Sequence, residues 1–199
     1  MKGNKSLLLA FGLLVLSAAL YRVWEGRPFG FAPQIAMAIF GGSVIKNKRL
    51  AFILPLISML LSDVLYEVLY VNGLSSIKGF YGGQWVNYLL FAGLTIFGFA
   101  LRTIKLANVL AFGISGSLLF FIFSNFTVWL GGGGFGRPKT FEGLMMCYND
   151  ALAFHREYGL ISGFAGNFIL GDLFFCTLLF GGYYLIQRFT LQDSKSYAA

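Results

Sequence analysis

Residues 50–70 read LAFILPLISMLLSDVLYEVLY. The stretch has the length a helix needs to cross a lipid bilayer, about 20 residues, and only Asp63 and Glu67 in it are charged. Five further apolar runs flank it, at 6–23, 31–45, 85–101, 106–130 and 162–186. The run at 31–45 is short and is opened by Pro33, so it crosses only with help from 28–32 or is partly re-entrant. None of the runs alternates with a period of two, which argues against an outer-membrane barrel. The reading is an all-α integral membrane protein: one domain over 1–199, a bundle of about six transmembrane helices, and a long polar-mixed loop at 131–161.

Composition supports this. The chain is 57% hydrophobic and only 12% charged, and its mean hydropathy is +0.74. A soluble domain carries about 25% charged residues, so this much apolar surface calls for a lipid solvent. The net charge of +7 raises the question of nucleic acid, but the cations sit in short clusters between apolar runs and form no stripe, so no nucleic acid is expected. Cys147 and Cys176 fall at different expected depths, and the chain has one His, so neither a disulfide nor a metal site is expected, and no cofactor.

The clusters set the topology. Lys2 and Lys5 precede the first run, Lys46, Lys48 and Arg49 join the second and third, Arg102 and Lys105 join the fourth and fifth, and Arg188 and Lys195 follow the sixth. If six helices alternate, all of these share one side. The positive-inside rule makes that side cytoplasmic and places both termini there. The segments 24–30, 71–84 and 131–161 then face outward. The first run also has a second reading, a cleavable signal peptide ending near Ser17-Ala18-Ala19, although its apolar stretch continues through Leu20 and Val23.

Polar residues inside apolar runs are the candidates for function. Asp63 and Glu67 stand four apart with Tyr66 and Tyr70 on nearly the same face. At 1.5 Å per residue Asp63 lies ~20 Å from Leu50, in the outer half of the layer. A carboxylate there must face a bundle interior or a wet cavity, to bind a ligand or to hold helices together. On the fifth run Ser117, Phe121, Ser124, Asn125 and Val128 share a face; Asn125 can read a ligand or a neighbouring helix, and Trp129 anchors the helix end. On the sixth run Gly163, Asn167 and Gly171 recur every four residues, a spacing for close helix approach, and Asp172 is a second buried acid, for packing or proton-linked sensing. Arg27, at the outer start of the second run, can neutralise an anionic ligand or pair with Glu67, and the mostly small face of Ala32, Ala36 and Phe40 with Gly41 suits close packing with a helix or another subunit.

Four glycines at 131–134 lack the Gly-Lys-Ser/Thr of a phosphate loop and read as a hinge. The hinge delivers 141–154, where Phe141, Leu144, Met145, Tyr148, Leu152 and Phe154 outline an amphipathic helix across the outer mouth. A helix end with Asn and Trp, a hinge and an amphipathic cap are the parts of a lidded pocket.

The segments FAPQIAMAIFGG, LPLISMLLSDVLYE, LLFFIFSNFTVWL and GLMMCYNDALAF, with GDLFF and LLFGG in the last run, resemble a family of uncharacterised bacterial multi-pass membrane proteins labelled as transport proteins. The resemblance spans roughly residues 27–182 and brings no assigned site residues. More distantly, the layout resembles the substrate-binding S-components of energy-coupling-factor vitamin transporters. That resemblance implies six helices, an outward pocket closed by loops, and partnership with a transmembrane coupling subunit and ATPases. In that family a small-residue pattern on the first helix meets the coupling subunit, whereas here the clearest small face is on the second run.

The expected function is therefore uptake of a small molecule, such as a vitamin or related micronutrient, across a bacterial inner (cell) membrane. Arg27, Asp63, Glu67, Asn125 and Asn167 would supply polar contacts, and Tyr66 and Trp129 flat ones. The alternative is a non-catalytic subunit of a membrane complex. A remoter reading, an intramembrane aspartyl protease using Asp63 and Asp172, lacks that family's flanking residues; no catalytic residue is assigned, and the chain is not expected to be an enzyme.

Overall fold

The computed structural model describes residues 2–196, with side chains described over 11–188. The side chains of Lys2, Lys5 and Lys195, used above as topology signals, lie outside the described residues. The described chain is all-helical: α1 (Lys2–Val23), α2 (Gln34–Val44), α3 (Lys48–Val71), α4 (Trp85–Gly98), α5 (Leu106–Leu130), α6 (Phe141–Tyr158) and α7 (Asn167–Ser196). Six fall on the apolar runs, and α6 is the helix expected after the glycines. Three stretches, Lys48–Val71, Leu106–Leu130 and Asn167–Arg188, are long and apolar enough to cross a membrane.

α3 shows how the sequence sets its own orientation. Asn47 caps it, its side chain accepting from the N–H of Arg49 (3.0 Å) and Leu50 (3.4 Å). One face, Ile53, Ile57, Leu60, Val64 and Val68, is exposed, while Leu54, Ser58, Met59, Ser62, Asp63 and Tyr66 are buried. Polar groups point in and branched aliphatics point out. That is the reverse of a helix packed in water, and it is the arrangement lipid favours. α5 repeats it, with Ile114, Leu118, Ile122 and Phe126 exposed and Ser117 buried.

α2 is the central element. It packs against α3, α4, α5 and α7, and from Gln34 to Ile39 every side chain is buried. Glycine makes this crowding possible. A Cβ on Gly41 would stand 2.7 Å from the Ala51 carbonyl oxygen of α3, and one on Gly42 would stand 2.3 Å from the Thr95 carbonyl oxygen of α4. With 11 residues α2 is only ~16 Å long, about half a ~30 Å hydrocarbon layer. The irregular segment 24–33 precedes it.

The two ends of the bundle differ. At one, Lys48 Nζ of α3 lies 3.7 Å over the Phe99 ring at the end of α4, and Lys46, Arg49, Arg102 and Lys105 are exposed. At the other, the end of α1 meets α3 and the start of α4 through Arg22, Asp63 and Tyr88. α1 belongs to the packed body: Val15, Ala18 and Ala19 are buried.

Candidate functional site

A cavity of about 570 Å³ lies where α1 and α5 finish and α2, α4 and α7 begin. Its size falls within the range of small-molecule sites. Each wall follows from local sequence. The face of α5 expected from helical spacing, Ser117, Phe121, Ser124, Asn125 and Val128, lines it completely. Gln34 and Ile35 close it from the first turn of α2, Asn87 and Phe91 from α4, and Phe168 and Asp172 from α7. Arg22, Arg27, Phe29 and Gly30 border it from the end of α1 and the segment after it.

α6 contributes Cys147, Asp150, Ala151, Phe154 and His155, at the 147, 151, 154, 155 spacing of one helical face. Its start is set by Thr140, whose hydroxyl accepts from Gly143 N (3.1 Å). Its rotation is set by a fork: Arg137 Nε and Nη2 donate to the two Asp150 oxygens at 2.8 and 2.9 Å. Tyr148 Oη donates to the Ile122 carbonyl (3.1 Å) and Trp129 Nε1 to that of Pro138 (2.8 Å). The inward face therefore differs from the one outlined by apolar residues alone; Phe141 is 77% exposed, and Gly143, Cys147 and His155 are buried instead.

His155 occupies the inner edge of this roof. Its ring packs between Phe29 and Phe168, with centroids 4.9 and 4.8 Å away. Burial holds its pKa below the ordinary histidine value, so it is neutral near pH 7. Gly30 sits beneath it at φ +80°, where a Cβ would come within 2.7 Å of His155 Cε1; only glycine fits both the dihedral and the space. The Arg137 hydrogen bond, together with its charge, holds Asp150 below the usual carboxylate range. Burial, with Asp150 nearby, raises the Cys147 thiol.

The eight residues singled out in the sequence divide into two groups. Arg27, Asn125 and Asp172 line the cavity. Arg27 donates to the carbonyls of Arg22 (Nε, 3.2 Å) and Phe31 (Nη1, 2.8 Å). Asn125 Nδ2 donates to the Phe121 carbonyl of its own helix (2.8 Å), and Asp172 Oδ2 lies 2.5 Å from Ser117 Oγ.

Asp63, Tyr66, Glu67, Trp129 and Asn167 are engaged around it. Asp63 accepts from Arg22 Nη1 (2.5 Å) and Tyr88 Oη (2.6 Å), and Tyr66 Oη donates to the Arg22 carbonyl (2.6 Å). Glu67 accepts from the N–H groups of Gly79 and Phe80, at 3.0 and 3.1 Å, which fastens the loop after α3. Asn167 ties the α6–α7 connection: its Oδ1 accepts from Ile161 N (2.7 Å), and its Nδ2 donates to the carbonyls of His155 (2.9 Å), Ile161 (3.0 Å) and Phe164.

Sequence reasoning passed over Arg22, Gln34 and His155 as site residues. Gln34 is 2% exposed and its Nε2 has no partner; His155 Nδ1 also has none. Buried polar atoms are almost always paired, so two orphans on one cavity wall mark a surface shaped for something else. A lone amide opening the shortest apolar run was the available signal.

The arrangement can hold and desolvate a small molecule. Asp63 and Asp172 are held by different partners, and among the described residues no group of three or more His, Cys, Asp or Glu could hold a metal ion. No curated protein and no solved structure matches the chain. Residues 2–194 match a family of unknown function, DUF6580, and the chain belongs to that family.

Proposed function

We propose that this protein is a multi-pass subunit of the bacterial inner (cell) membrane that binds a small molecule in the α2–α4–α5–α6–α7 cavity for uptake. The observation that carries the reading is the cavity itself: about 570 Å³, lined in large part by aromatic side chains and roofed by the helix that follows the four-glycine turn, with unpartnered polar atoms on its surface. α1, α2 with 24–33, α3, α4, α5 and α7 make six crossings. The irregular backbone before α2 is tolerable at depth because protein surrounds it. The exposed cations between α2 and α3 and between α4 and α5 support a cytoplasmic position for that end and for both termini, with the cavity toward the outside. The packing of Ala18 and Ala19 supports a retained α1.

The sequence carries no nucleotide-binding motif, so the energy comes from a partner, as the resemblance to S-components implies, or from an ion gradient. The separate engagement of Asp63 and Asp172 favours binding over proteolysis. The test is native mass spectrometry on gently extracted protein beside Ser124→Phe, which fills the cavity from α5. A retained small molecule, lost in the variant, is the expected result. An empty protein held in a larger assembly would overturn the uptake reading in favour of a structural subunit.

A further inference from the structure

Of the two unpartnered atoms on the cavity wall, Gln34 Nε2 and His155 Nδ1, the amide nitrogen is a donor in every state. Gln34 Nε2 is a donor without an acceptor, on a side chain 2% exposed. Gln34 is also the first residue of α2, and the residue before it, Pro33, offers no capping side chain. The first helical bond runs from Met37 N to the Pro33 carbonyl (2.8 Å), so the N–H groups of residues 34–36 come before it. That end of the helix carries the positive pole of its dipole. Arg27, which lines the cavity, uses Nε and Nη1 on backbone carbonyls, and its Nη2 makes no hydrogen bond among the described residues.

Two of the charges on the wall are already paired. Arg22 is neutralised by Asp63, and Asp150 by Arg137. Asp172 accepts from Ser117 Oγ on the neighbouring helix and has no cation partner among the described residues. His155 is neutral. Arg27 is the cavity-lining cation that no carboxylate pairs with among the described residues. Much of the remaining surface is aromatic or aliphatic, with Phe91, Phe120, Phe121, Phe168 and Ile35, and Asn87, Ser124 and Asn125 are polar groups among them.

Resting on the uptake reading, we infer that the ligand is a small amphipathic carboxylate. Its anionic head is held by Arg27, Gln34 Nε2 and the amino end of α2, and its apolar body lies among the phenylalanines. A carboxylate offers acceptors only, so it satisfies every orphan donor at once, where an alcohol satisfies one or two and an ammonium none. A half-length helix with a buried amino end is also a known way for membrane proteins to hold an anionic group.

A free aromatic acid and a fatty acid from the bilayer share this chemistry. The test therefore uses two matched sets: 3-phenylpropionate with 3-phenylpropanol and 3-phenylpropylamine, and decanoate with decanol and decylamine. Binding is measured by isothermal titration calorimetry on the full chain in detergent below the probes' micellar range. The carboxylate of one set is expected to bind at least about tenfold tighter than its alcohol and amine. The set that responds identifies the source.

Arg27→Gln and Gln34→Leu should each erase that preference, while Arg27→Lys, which restores the charge, should recover part of it. Gln34→Leu keeps the side chain's size, so it reports on the head group even if loss of the Arg27–carbonyl bonds disturbs the segment 24–33. An amine or alcohol bound as tightly as the acid, a preference that survives both variants, or an amine site lost in Asp172→Asn would overturn the carboxylate assignment and leave the cavity a ligand site. Binding by no probe, with no small molecule retained on extraction, would overturn the uptake reading and the carboxylate assignment with it.

Discussion

The Arg22–Asp63–Tyr88 cluster makes a prediction that separates a structural carboxylate from a ligand-binding one. Asp63 is about 1% exposed, and the Arg22 side chain is 21% exposed. Asp63→Asn removes the negative charge and leaves the guanidinium beside an amide. Breaking a buried ion pair from one side costs about 3–5 kcal/mol, because the remaining charge stays desolvated. Arg22 keeps some contact with its surroundings, so the low end applies, about 3 kcal/mol. Tyr88→Phe removes one hydrogen bond to a charged group and should cost less, about 1.5–3 kcal/mol. Replacing both ions with apolar residues of similar volume, Arg22→Met with Asp63→Leu, should recover a large part of the single-variant loss, since the uncompensated charge goes with them. The assay is reversible unfolding of the purified protein in mixed micelles, followed by the α-helical circular dichroism signal, with Arg22→Met and Asp63→Leu also made singly so that they, the pair and the natural sequence form a double-mutant cycle. The reasoning fails if Asp63→Asn is within about 0.5 kcal/mol of the natural sequence, or if that variant unfolds normally yet loses a bound molecule. Either result would return Asp63 to the cavity's chemistry.

Three other outcomes follow from the geometry. Gly30→Ala and Gly73→Ala both force a non-glycine residue to positive φ, at about 1–2 kcal/mol; Gly73 has open space around its missing Cβ, so Gly30→Ala should be the more destabilising of the two in the same unfolding assay, by the cost of displacing His155. Asn167→Ala strips the α6–α7 connection of its side-chain hydrogen bonds, at about 1–3 kcal/mol; hydrogen exchange over 159–166 should speed up while exchange in α3 is unchanged, and equal acceleration of both would refute a local role. The folded-state pKa of His155 lies below its unfolded value, so the neutral form is favoured and its contribution is intact above about pH 6.5, falling as pH drops toward the folded pKa. Thermal stability should decline on moving from pH 7 to pH 5 by an amount that His155→Phe abolishes; a decline of the same size in that variant would place its cause elsewhere.

Much of the fold was legible because lipid leaves little choice. An apolar run of about 20 residues has to satisfy its backbone internally, so it becomes a helix whatever its neighbours do. The starts of α4 at Trp85 and α5 at Leu106 fall where hydropathy places them. The second run is harder. Its apolar residues begin at Phe31, but helix begins only at Gln34, because Pro33 lacks the N–H and the segment before it bends through Gly30 at positive φ. The cavity-lining face of α5 could be written down from spacing alone. The face of α6 could not, because the Arg137–Asp150 fork, not the distribution of apolar residues, sets its rotation.

The roles of individual polar residues were the part that stayed open. Asp63 and Arg22 are 41 positions apart, and nothing local to either says that they meet. Asn167 reads as one more polar residue on an apolar helix until its amide is seen gathering four backbone groups from α6 and the connection after it. By itself, the sequence determined an apolar helical chain with cations grouped at particular connections, since solvent transfer and hydrogen-bond closure act on each segment alone. Only the tertiary structure decided which acids are already neutralised and which donors are left over. Pairing depends on distances between segments far apart in the chain, and a group left unpaired is defined by everything else that did find a partner.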